Sequence, residues 1–198
     1  MLRILLIDNY DSFTYNLVQL IAESGIPHYL TIVPNDISID QLPEITDKVI
    51  ISPGPGLPEE SGNLMQLIAH YATTTDLLGI CLGHQALAIH FGATLKQLQH
   101  CAHGIGSFVT QIEKDSIFEG VSPSFVSGRY HSWIIDEDNL TPDLVISARD
   151  EDGNIMAFYH KSLPIHGLQF HPGRGTHNSP FFQDDQSVCS CFANYCLS

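Results

Sequence analysis

The chain opens on an apolar run, residues 2–7, that stops at Asp8. Apolar side chains on successive positions, rather than on alternate ones, predict a strand buried on both faces. Asn9-Tyr10-Asp11-Ser12 reads as a loop, with Asp11 or Ser12 able to cap the helix that follows. That helix carries Tyr15, Val18, Ile21 and Ala22 on one face, and Gly25 stops it. Residues 26–33 predict a second strand, and Val49-Ile50-Ile51 a third, short and wholly apolar. Ser61 is placed to cap a second helix with the apolar face Leu64, Leu67, Ile68 and Tyr71. Residues 77–80 predict a fourth strand, and His84 to Phe91 a helix behind it. Strands alternating with helices at this spacing predict an α/β fold, a doubly wound and mostly parallel sheet.

From about residue 93 the texture changes. Residues 94–98, 105–112, 125–130, 144–148, 155–159 and 165–170 read as short strands joined by turn residues such as Glu151-Asp152-Gly153-Asn154. They predict a small antiparallel addition at one side of the sheet. The tail, residues 188–197, is expected to be a last helix. There is no internal repeat, low-complexity tract or linker, so residues 1–198 are expected to form a single domain.

Composition narrows the class. A chain of 198 residues with 43% hydrophobic and 15% charged content is globular. Net charge is −14 with only 8 Lys and Arg, which argues against nucleic acid and anionic membrane as partners. No apolar run nears the ~20 residues of a membrane span. The opening run is too short, and too acidic at its end, for a signal peptide. Five scattered cysteines without an export signal suit reduced thiols in the cytoplasm. Cys189 and Cys191 form C-x-C with no second ligand pair, so no metal is expected, and no cofactor.

The stretch with the most chemistry is Gly79-Ile80-Cys81-Leu82-Gly83, between the fourth strand and its helix. A residue on a sharp strand-to-helix elbow projects its side chain into a cleft, and flanking glycines let neighbouring backbone pass close by. The helix N-terminus favours a thiolate, the nucleophilic form of Cys81. The N–H of Leu82 is placed to donate to an oxyanion. Taken alone, the spacing also fits a buried structural cysteine with two packing glycines. Ser52-Pro53-Gly54-Pro55-Gly56 follows the third strand, on the same sheet edge as the elbow. Its N–H groups could supply a second oxyanion donor, though a Pro/Gly turn can be a turn and nothing more. The phosphate-loop pattern G-x-x-x-x-G-K-[ST] is absent.

A thiol nucleophile needs a base, and eleven histidines compete. His171 is the best placed, at the end of the strand 165–170 and before Pro172. His84 and His90 suit helix-face or capping roles, His131 a pocket wall, and His166 a structural position.

The chain resembles the class I (triad-type) glutamine amidotransferases, and within them the small subunits of anthranilate synthase and aminodeoxychorismate synthase. The likeness covers roughly residues 2–172. It rests on Leu6-Ile7-Asp8-Asn9-Tyr10-Asp11-Ser12-Phe13-Thr14-Tyr15-Asn16-Leu17, Ser52–Gly56, Gly79-Ile80-Cys81-Leu82-Gly83-His84-Gln85, Arg129-Tyr130-His131-Ser132 and Gln169-Phe170-His171-Pro172. The resemblance implies catalytic Cys81 and His171. It implies an oxyanion hole from Leu82 and Gly54, and glutamine binding by Gly54, Pro55, Gly56, Gln85, Ser132 and Trp133. It also implies a γ-glutamyl thioester and delivery of ammonia to a chorismate-utilising synthase large subunit.

Three departures stand out. The family reads His-Pro-Glu where this chain reads His171-Pro172-Gly173, so the carboxylate that orients the histidine is missing. Losing such a group can cost on the order of 10⁴ in kcat, about 5.5 kcal/mol. Asp184 or Asp185 could substitute only by folding back. The family's His-Gly-Lys loop, which tends to face the synthase, is His103-Gly104-Ile105 here. Residues 174–186 depart from the usual segment after the base. The chain is therefore expected to be a glutaminase subunit, possible weakening included. The alternatives are a regulatory or binding homologue without turnover, and a different cysteine hydrolase such as a γ-glutamyl peptidase. The opening motif speaks against the last, and motif alone does not separate tryptophan from folate biosynthesis.

Overall fold

The computed structural model describes residues 1–171, 190–191 and 193–196, with side chains throughout except at 99–105. Its centre is a nine-stranded sheet. The chain order is β1 (Leu2–Asp8), α1 (Thr14–Glu23), β2 (His28–Pro34), β3 (Lys48–Ile51), α2 (Leu64–Tyr71), β4 (Asp76–Ile80) and α3 (Leu82–His90). Then follow β5 (Thr94–Gln111), β6 (Ser124–Asp136), β7 (Leu144–Asp150), β8 (Ile155–His160) and β9 (Ile165–Leu168). In space the strands run β2-β1-β3-β4-β9-β8-β7-β5-β6.

Pairings from β2 to β9 are parallel, and those from β9 through β8, β7 and β5 to β6 are antiparallel. The sheet is doubly wound. Ile4, Leu6, Ile50, Leu78 and Ile80 face a core closed by Leu17 and Ile21 of α1. Leu5, Ile7, Val49, Ile51 and Leu77 face the other core, closed by α2 and α3. Apolar residues on both sides of each strand explain the continuous apolar runs.

Several sequence expectations need correction. The buried face of α1 is Thr14, Leu17 and Ile21, whereas Tyr15 is 73% exposed and Ala22 is exposed. Apolar residues cover so much of this helix that its sequence leaves the phase open. Phe13 occupies the N-cap; Asp11 instead closes the preceding turn, accepting from the Phe13 N–H at 2.7 Å. Ser61 does not cap α2, because Asn63 stands at that position and the Ser61 hydroxyl donates back to the Leu57 carbonyl. The face of α2 is as expected. The segments 94–98 and 105–112, apart from Ile112 just past its end, belong to one strand, β5, whose pairing with β6 shifts register between Gln97 and Ala102 and between His103 and Ile105. His103-Gly104-Ile105 thus lies in a strand rather than a loop. Finally, β9 is not part of an antiparallel addition alone. It lies parallel to β4 and antiparallel to β8, and so joins the two halves.

The tail returns to the sheet. Residues 190–191 and 193–196 are helical, and Cys191, Tyr195 and Cys196 pack into the core beneath α1. The buried Tyr195 hydroxyl points at the carbonyls of Val49 (3.0 Å) and Asp76 (2.8 Å). Lys48, buried and paired with Asp76 at 2.8 Å, lies over the Tyr195 ring. Among the described residues no helix is long and apolar enough to cross a membrane.

Candidate active site

Four parallel neighbours, β1, β3, β4 and β9, end side by side at the C-terminal edge. They deliver Asn9, Ser52, Cys81 and Gln169 in that order. The Cys81 N–H bonds to the Leu168 carbonyl at 2.8 Å, so the elbow begins as an extension of the ladder. Cys81 then turns at φ 53°, ψ −100° and becomes the N-cap of α3. A non-glycine residue at positive φ is strained, and strain of this kind concentrates at functional sites.

The two glycines of the elbow are needed for packing. A Cβ on Gly79 would overlap the backbone of Gly83, and one on Gly83 would lie 2.6 Å from the Ile51 carbonyl oxygen. The strand, the helix and β3 therefore meet backbone to backbone. Gly54 is equally constrained, since its Cβ would fall 2.5 Å from both Asn9 Cβ and Leu82 Cδ2. Asn9 anchors the loop that holds Gly54. Its N–H bonds to Ser52 Oγ (2.9 Å), its side-chain amide donates to the Ser52 carbonyl (2.7 Å), and its Oδ1 accepts from Asn35 (3.0 Å). This explains chemically why the opening motif and the Ser52–Gly56 loop belong together.

A cleft of about 290 Å³ opens over the elbow. Of the residues singled out from the sequence, Gly54, Pro55, Gly56, Cys81, Gln85, Ser132 and Trp133 line it. Leu82 is buried directly behind, against Gly54. His171 is buried, its ring 4.9 Å from that of Phe13 and 5.5 Å from that of Tyr130, which lines the cleft. Gly173, Asp184, Asp185 and the segment 174–186 lie outside the described residues, as does Cys189. A second hollow, about 240 Å³ around Arg3, Ile45 and Thr46, includes none of the residues singled out.

The cleft wall opposite the elbow comes from β6. His131 shapes it, its Nδ1 3.1 Å from the Trp133 carbonyl. Arg129 is braced by Asp150 (3.2 Å) and Asp152 (3.1 Å), which fastens β6 to the turn between β7 and β8. His84, behind the elbow, is fully buried against the Phe158 ring. Burial pushes its pKa down to about 3, despite the nearby Gly167 carbonyl, and His131 acts in the same direction. His84 is therefore neutral at pH 7 and is no general acid. His166 lies 3.1 Å from Asp115, away from the cleft, as befits a structural residue.

The glutamine amidotransferase class-I family model matches residues 5–181. The chain belongs to that family. Among curated relatives, the aminodeoxychorismate/anthranilate synthase component 2 of Bacillus subtilis (strain 168) is 43% identical over 171 residues, covering 85% of this chain and 87% of that protein. Anthranilate synthase component 2 of Saccharolobus solfataricus is 40% identical over 175 residues, 85% of this chain and 88% of that one. A solved structure from Thermoplasma acidophilum, described as one subunit of a GMP synthase, superposes with a TM-score of 0.80 at 28% identity, over 100% of this chain and 94% of that one. The amidotransferase fold expected from the motifs is thus the fold of the chain.

Three participants carry no role of their own in the sequence reading, although Tyr130 and Gln169 stand within its motifs. Gln97 and Tyr130 line the cleft from the β5–β6 pair. Gln169 reaches the sulfur itself, its Nε2 3.6 Å from Cys81 Sγ. A signal for Gln169 was present: it stands two residues before His171, and alternation at a strand end puts both on one face with Phe170 in the core.

Proposed function

We propose that this chain is the glutaminase component of a chorismate-aminating synthase. The supporting observation is the strained Cys81 elbow opening on a cleft shared with Gly54–Gly56, Gln85, Ser132 and Trp133. Cys81 Sγ attacks the side-chain carbonyl carbon of glutamine and forms the S–C bond. The N–H groups of Leu82 and the Gly54 loop receive the oxyanion. His171 takes the thiol proton and gives it to the departing ammonia as the C–N bond breaks. Water then hydrolyses the γ-glutamyl thioester to glutamate and restores the thiol. Gln85, Pro55, Gly56, Ser132 and Trp133 hold the substrate.

Component 2 relatives similar over some 85% of this chain support a large-subunit partner that uses chorismate. We take residues 1–198 as one amidotransferase domain. We take the cytoplasm as the working compartment, with Cys81, Cys191 and Cys196 as reduced thiols and neither nucleic acid nor membrane as partner. A second reading is favoured by one residue. Gly173 replaces the orienting glutamate, so the chain could bind glutamine or its partner without turnover.

Ammonia release from glutamine, measured with a chorismate-utilising partner for the native chain and for Gly173→Glu, separates the two. Turnover by the native chain with at most a few-fold gain in the variant is expected of a working glutaminase. Silence restored by Gly173→Glu would establish the regulatory reading, and silence from both would overturn the glutaminase assignment with that partner.

A further inference from the structure

Gln169 is fully buried and takes no part in the scheme above. Its amide belongs to a chain of hydrogen bonds with only one possible polarity. The chain starts at the Trp133 carbonyl, which can only accept. Gln85 Nε2 donates to it at 2.9 Å and also lies 3.1 Å from Gln169 Oε1. Turning the Gln85 amide over would set two carbonyl oxygens against each other. With Gln85 donating to its Oε1, Gln169 must present its NH₂ group at the other end. That group lies 3.6 Å from Cys81 Sγ, within reach for an N–H···S bond.

We propose that Gln169 is a positioning residue that donates an N–H to Cys81 Sγ and holds the sulfur in its thiolate form, its amide oriented by Gln85 and the Trp133 carbonyl. A donor aimed at sulfur strengthens as the sulfur becomes negative, so it favours the charged form. Gln169 does this without an ionisable group of its own, and its buried amide cannot turn away into water. The Trp133 carbonyl belongs to the β6 wall of the cleft, so that wall and the nucleophile share one hydrogen-bonded line.

The inference rests on the reading of Cys81 as nucleophile, and it is tested without glutamine. Iodoacetamide alkylates a thiolate: the S–C bond forms, iodide leaves, and the thiol proton has already passed to buffer. The rate of labelling of the Cys81 peptide, followed by mass spectrometry from pH 5 to 10, reports the pKa of that thiol. Gln169→Leu is expected to raise it by about one unit, a roughly tenfold slower reaction on the acid side of the titration with little change in the high-pH plateau. Gln169→Glu, near in shape and still able to accept from Gln85, is expected to raise it at least as far, because a carboxylate oxygen then faces the sulfur. Gln85→Met should move it in the same direction by less.

An unchanged profile in folded Gln169→Leu overturns the proposal. If that variant does not fold, an unchanged profile in Gln169→Glu does the same. A Gln169-dependent profile in a native chain that releases no ammonia would strike down the turnover reading and leave this one standing. An unaffected profile in an active chain does the reverse.

Discussion

The backbone at Cys81, φ 53° and ψ −100°, carries strain of roughly 1–3 kcal/mol, and surrounding contacts must hold it there. The ladder bond to Leu168, the Cys81 carbonyl accepting from Gln85, and the glycine contacts of the elbow hold it. The elbow's purpose is legible from G-x-C-x-G, since no bulkier residue fits where Gly79 and Gly83 meet. His84, one residue further on, has the sequence position of a helix-face or capping group, yet it is fully buried and neutral. Its folded pKa of about 3 lies below the ordinary 6.5, so between those values the unfolded chain binds a proton that the fold refuses. Stability contributed by this residue is therefore present above about pH 6.5 and lost as pH falls towards 3, at up to about 1.4 kcal/mol per pH unit. Urea unfolding at pH 7, 6, 5 and 4 is expected to show a steeper loss for the native chain than for His84→Leu, by about one proton. Parallel curves would show that the fold accepts a proton on His84.

At the scale of the element, helix phase and strand pairing decided what the pattern left open. The face of α2 was readable because its large apolar residues, Leu64, Leu67, Ile68 and Tyr71, recur at helical spacing on one side, with Gln66 and His70 on the other. That of α1 was not, because Tyr15, Leu17, Val18, Leu20, Ile21 and Ala22 leave two faces in competition and the sheet chose Leu17 and Ile21. The tail helix shows how a distant element is secured. The Tyr195 hydroxyl lies between two carbonyls from adjacent strands, β3 and β4, which share its one proton, and burial raises its pKa well above the usual phenol value. Tyr195→Phe keeps the ring against Lys48 and removes only the donor. A loss of about 1–2 kcal/mol is expected. The same change should quicken proteolysis of the C-terminal segment before the rest of the chain is cut. An unaltered midpoint and cleavage pattern would mean the tail is held by apolar packing alone.

For the whole molecule, charge is the property least visible in any one contact. With 22 Asp and Glu against 8 Lys and Arg, the compact state repels itself. Raising NaCl from about 10 to about 150 mM shortens the screening length from ~30 to ~8 Å, so the melting temperature should rise. A fall would show that ion pairs such as Arg149–Glu137 outweigh the net repulsion. The α/β winding, the elbow and the grouping of loops at one sheet edge are legible in the chain alone. Each follows from local rules: strand and helix periods, glycine at close approaches, and ligand sites at the ends of parallel strands. Folding added what the chain pattern leaves open: β9 bridges the parallel and antiparallel halves, residues 94–111 form one strand, and Gln169 touches the sulfur. These depend on hydrogen bonds between segments far apart in the chain, such as Gln85 with Trp133 and Gln169, and no local pattern encodes such a partner.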